Sequence, residues 1–96
     1  MDTLTMNIRR RFFAEIVAGT KEVEYRQRSK SWRRRIEPLT APFRLRLLNG
    51  MTHPVPEVLV VVRKVTSGRS PPEYQLHLGP VLAVKRWNRK TRRPRA

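Results

Sequence analysis

The chain contains no cysteine. That one absence removes disulfides, thiolate metal sites and a cysteine nucleophile together. Histidine is almost as scarce, with His53 and His77 alone. A metal site built on them would need carboxylates at ligand spacing, and none stands at such a spacing, so neither metal nor cofactor is expected. Long apolar runs are missing as well. The longest, Val58 to Val62, is five residues, against about 20 needed to cross a bilayer, so no membrane partner is expected. The opening Met1-Asp2-Thr3 carries no positive stretch leading into an apolar one and does not read as a secretory leader. The expectation is a soluble, cytoplasmic protein. Acid is the last shortage: 7 Asp+Glu stand against 22 Lys+Arg, a net charge of +15. A field of that sign and size attracts polyanions, of which nucleic acid is the abundant intracellular one. Arginine outnumbers lysine, which suits phosphate and base contacts because guanidinium is planar, bidentate and able to stack on rings.

What is present is enough for one domain of 96 residues with a small core, since a chain of this size buries only about 60 to 70% of its unfolded surface. Leu4, Met6 and Ile8 alternate with polar residues over 3–8, the period of a half-buried strand. Arg9 to Ala18 follows helical periodicity, with Phe12/Ile16 and Phe13/Val17 four apart. Gly19 can close that helix in the left-handed conformation. Alternation then resumes, Val23 and Tyr25 on one side and Glu22, Glu24 and Arg26 on the other. Ser29 or Ser31 can cap a short basic helix with Trp32 and Ile36 on its inner face. Trp32 reads either as a lid over one end of a small barrel or as an aromatic platform among cations. Phe43, Leu45 and Leu47 alternate with Arg44 and Arg46, and residues 57–66 are β-branched enough for a central strand. Residues 67–72 read as a flexible connection, and 74–78 and 81–86 as two further strands separated by Gly79-Pro80. Asn49-Gly50 marks a turn followed by a loop that can rim a pocket. From Lys85 onward no acid appears; a segment of such charge density reads as disordered, so residues 87–96 are expected to form a basic tail on a domain of residues 1–86.

The junction of helix and strand carries the chemistry. Gly19, Lys21, Glu24 and Arg26 are spaced Gly-x-Lys-x-x-Glu-x-Arg, which resembles the signature of the ASCH domain family, a relative of the PUA RNA-binding fold. The resemblance extends to Leu4–Ile8 as a first strand, the Phe12-Phe13 helix, Asn49-Gly50 closing a middle strand and Tyr74–Gly79 as a late strand, about residues 3–86. It implies an α+β, mainly β fold: a small PUA-like antiparallel β-barrel with one to two short helices. It also implies a cleft lined by the signature strand that binds RNA, and in some members hydrolysis of RNA or of acylated cytidine with the motif lysine. The acylated-cytidine branch carries threonine at the position held here by Glu24.

Strand parity places Glu24 and Arg26 on one face and Lys21 on the other, so Lys21 can meet Glu24 only from the turn before regular pairing begins. The leading expectation is binding of RNA or single-stranded DNA in a cleft formed by Lys21, Glu24 and Arg26, with Trp32 and Asn49 beside it and Arg9, Arg28, Lys30, Arg33 and Arg34 holding the backbone. A carboxylate in such a cleft favours a base edge over phosphate. The alternative is a hydrolase with Lys21 as base or nucleophile and Glu24 as its carboxylate. A third is an adaptor whose C-terminal tail docks on an acidic protein. The bland alternative is an ion pair of Glu24 with Arg26 and a solvated Lys21.

Overall fold

The computed structural model describes residues 1–95. Seven strands and two helices follow in the order β1 (Thr3–Asn7), α1 (Arg10–Ala18), β2 (Val23–Gln27), α2 (Lys30–Ile36), β3 (Phe43–Leu48), β4 (Glu57–Arg69), β5 (Pro72–Lys85), β6 (Trp87–Asn88) and β7 (Arg93–Pro94). The class is α+β and mainly β, as expected. Among the described residues no helix is long and apolar enough to cross a membrane.

Period-two patterning builds the core. Phe43, Leu45 and Leu47 of β3, Val58, Val60 and Val62 of β4 and Leu76 of β5 are fully buried, with Tyr74 and Leu78 nearly so. Leu4, Met6 and Ile8 continue the layer, and Phe13, Ala14 and Ile16 of α1 close over it. α1 starts at Arg9 without a side-chain cap, so its stability comes from this buried face rather than from its ends. At the other end Gly19 adopts φ 79° and donates its N–H to Ile16 O at 3.0 Å, while Thr20 N–H reaches Glu15 O at 2.9 Å. A residue with a Cβ would be strained there. α2 is capped by Ser29, whose hydroxyl accepts from Trp32 N–H at 3.3 Å. Its last-turn cations Arg33, Arg34 and Arg35 complement the helix dipole.

The main sheet has the order β1-β3-β4-β5-β2. Here the expected antiparallel barrel needs correction. β1 runs parallel to β3, from Thr3 opposite Arg44 to Asn7 opposite Leu48, and only the other pairings are antiparallel. A parallel neighbour requires a long crossover, and α1, β2 and α2 all lie within it. The edge strands β1 and β2 are not paired with each other among the described residues, so no closed barrel is found. Side chains span the gap instead. Arg26 NH2 donates to Asn7 O at 2.8 Å, and Arg35 NH2 donates to Thr5 O. These carbonyls are two residues apart, hence on the same free edge of β1. The Trp32 ring lies against both guanidiniums, 5.3 Å from Arg26 and 4.4 Å from Arg35.

Three further expectations differ from the structure. Residues 67–69 continue β4 into a tight hairpin with β5, so the supposed flexible connection is short. β5 runs through Gly79-Pro80 without ending, because a register shift against β4 absorbs the proline that lacks an N–H. Residues 87–95 are a hairpin, not a disordered tail. Trp87 is buried, its ring 4.8 Å from that of Phe13, and Asn88 Oδ1 accepts from Lys90 and Thr91 N–H at the turn. One aromatic anchor outweighs the charge density that suggested disorder. Ala96, the end of that expected tail, lies outside the described residues.

Candidate functional site

A concavity of about 630 Å³ opens where the two unpaired edges approach, within the roughly 300–1,000 Å³ typical of ligand clefts. Asn7, Ile8 and Arg9 come from the end of β1, Phe12 from α1, and Lys21, Glu24, Tyr25 and Arg26 from the β2 side. Lys21, Glu24 and Arg26 therefore converge, as the spacing implied, and Lys21 does so from the turn ahead of β2. Its Nζ lies 3.9 Å from Glu24 Oε1, while Arg26 NH2 lies 3.7 Å from Glu24 Oε2. The solvated Lys21 of the bland alternative is excluded by burial, the side chains being 12%, 6% and 21% accessible for Lys21, Glu24 and Arg26.

The structure decides which face of β2 turns inward. Glu24 points inward and Tyr25 outward, half exposed. Alternation identifies which residues share a face and leaves open which face is buried. Here Arg26 decides it, because its Nε donates to Met6 Sδ at 3.1 Å and its NH2 holds β1. The inward face of β2 is thus polar, and Glu24 is carried in with it.

Glu24 is poorly satisfied there. Oε1 accepts from Tyr25 N–H at 2.9 Å, and Oε2 has no hydrogen-bond partner. Both cations stand beyond hydrogen-bond distance. Lys21 Nζ instead sits 4.8 Å from the Phe12 ring centroid and 5.4 Å from that of Tyr25, an arrangement stabilised by the ring quadrupoles. The lining adds up to three cations, one carboxylate, two aromatic faces and the apolar Ile8. No group of His, Cys, Asp or Glu that could hold a metal occurs among the described residues.

The other expected site residues divide. Arg9 lines the concavity, so the cation at the head of α1 is one lip of the site. Trp32 stands behind Arg26 in the seam and not on the concave surface. Arg28, Lys30, Arg33 and Arg34 lie outside it. Arg28 rests over the Tyr74 ring at 5.8 Å, and Arg33 pairs with Glu37 at 3.5 Å. Glu37 accepts from the Tyr74 hydroxyl, which holds its carboxyl below the ordinary range, while burial and then that bond push the hydroxyl up. Lys30 and Arg34 are exposed on α2. Asn49 is a brace, its amide donating to Ile8 O at 3.0 Å. Asn7, Ile8, Phe12 and Tyr25 were absent from the expected set. For Tyr25 a usable signal existed, since an aromatic adjoining a motif cation is a natural stacking partner.

No protein-family model matches this chain, and no curated protein or solved structure matches it either.

Proposed function

We propose that this protein binds RNA, or single-stranded nucleic acid generally, with the concavity between β1 and β2 as the site that receives a nucleotide. The observation that carries this reading is the joint lining by Arg9, Lys21, Arg26, Phe12 and Tyr25 in a chain of net charge +15. Single strands are held by a cationic path together with aromatic faces on which bases stack, and the stacking tolerates any sequence. Tyr25 is exposed enough for one ring face to receive a base, while Arg9 at the rim is placed for the backbone phosphate. The resemblance of the Gly19–Arg26 spacing to the ASCH signature points to the same ligand class. The exposed cations Lys30 and Arg34 of α2 extend the charged surface.

Hydrolysis receives less support. Lys21 Nζ, its candidate base or nucleophile, is turned to the Phe12 and Tyr25 rings and stands 3.9 Å from Glu24 Oε1, beyond hydrogen-bond distance. Binding is tested by titrating a fluorescent single-stranded RNA 10-mer at several salt concentrations. A log-log slope of about −0.7 per phosphate neutralised is expected, with Lys21→Ala weakening affinity about tenfold at fixed salt. Salt-independent binding, or binding indifferent to Lys21→Ala, overturns the proposal.

A further inference from the structure

The carboxylate at the floor of the concavity specifies more than nucleic acid in general. Glu24 is 4% exposed, and its Oε2 has no hydrogen-bond partner. An ionised carboxylate offers about four acceptor positions, and within the protein this one engages a single donor, the Tyr25 N–H. Buried acceptors are almost always paired, and leaving one open is costly. Lys21 and Arg26 are near enough to offset its charge but not to bond it, at 3.9 and 3.7 Å. Each is held elsewhere, Lys21 over two rings and Arg26 on β1.

The missing donor has a definable chemistry. It is neutral, because Arg9, Lys21 and Arg26 outnumber Glu24 and repel a further cation. It belongs to a flat ring, because Phe12 and Tyr25 wall the cleft. It protrudes, because the carboxylate is recessed. It is attached to an anion, because Arg9 stands at the rim. We infer that the concavity selects nucleotides whose base carries an exocyclic amino group, donated to Glu24, over uracil. In uracil the ring N–H lies between two carbonyl oxygens, and these meet the carboxylate first. Cytosine offers its amino group with a ring acceptor beside it, which faces the neighbouring cation.

This inference rests on the nucleic-acid reading above, and the test separates the two. Cytidine and uridine 10-mers share ring size, so stacking differs little between them, and their affinities are compared by fluorescence anisotropy. The inference expects the cytidine strand to bind about tenfold tighter. Glu24→Gln should reduce the preference to twofold or less. A third strand, with hydrogen replacing each 4-amino group, keeps the test independent of how the variant folds, and it should bind wild type no better than the uridine strand. Equal binding of cytidine and uridine strands, or full binding of the strand lacking the amino group, overturns the amino-group selectivity and leaves nucleic-acid binding standing. Failure of all three strands to bind overturns both.

Discussion

Glu57 and Glu24 are the two buried charged side chains among the described residues, and they are satisfied very differently. Glu57 accepts from Arg46 at 2.9 Å, with Arg86 at 3.8 Å and Lys85 at 4.0 Å. The Arg46 bond first, and then the charges of Arg46, Lys85 and Arg86, hold its carboxyl below the ordinary range against the opposing push of burial. A carboxyl whose folded value is depressed contributes stability above its unfolded value, about 4.3, and loses it as pH falls through the lower folded value. Chemical denaturation at pH 7 should find Glu57→Gln about 2 kcal/mol less stable than wild type, and the gap should close on acidification below about pH 4. A gap independent of pH would assign the loss to packing. Glu24 has no such set of partners. Glu57, bound by its own protein, acts as a brace, whereas the open carboxylate of Glu24 is the group on which the proposed selectivity rests.

At the level of elements, legibility followed locality. The end of α1 at Gly19 was readable, and the cap of α2 was narrowed to Ser29 or Ser31, because each depends on residues within one turn. The inward sides of β3 and β5 were readable because Phe43-Leu45-Leu47 and Tyr74-Leu76-Leu78 leave no competing apolar face. β2 was not readable in this way: Val23 and Tyr25 compete with Glu24 and Arg26, and the bond of Arg26 to Met6, 20 positions away in sequence, settles the matter. The parallel pairing of β1 with β3 likewise depends on a crossover of whole elements. The hairpin β6–β7 was missed because composition averages over a segment, while its order rests on a few particular residues, the Trp87 ring packed on Phe13 and the Asn88 side chain at the turn. Trp87→Ala should cost about 3–5 kcal/mol in denaturant unfolding and expose Arg89 to Arg95 to trypsin in the native state. Replacing Arg89, Arg92, Arg93 and Arg95 by Gln should leave the unfolding midpoint nearly unchanged, since these cations are exposed and none forms an ion pair among the described residues. Equal destabilisation by both changes would contradict the anchoring role of Trp87.

The whole molecule is a mixed sheet whose free edge β1 is held by two guanidiniums, Arg26 from the other free edge β2 and Arg35 from α2, both against the Trp32 ring. Backbone pairing would have left no room between β1 and β2. Arginine side chains are longer, and the same Arg26 that ties the edges also faces Glu24, so seam and site share a residue. The net charge of +15 then acts at two ranges. Its long-range field favours polyanions, and at the concavity the charge is reduced to a few fixed cations around one acid and two rings. Charge alone would bind any phosphate backbone at any basic surface, including the β6–β7 hairpin. The central claim is narrower, that the nucleotide enters the gap between the sheet edges. Amide chemical-shift mapping with an unlabelled cytidine 10-mer tests it most directly. Shifts concentrated at residues 7–9, 12 and 21–26 are predicted; shifts confined to residues 86–95, with the gap unperturbed, would contradict it.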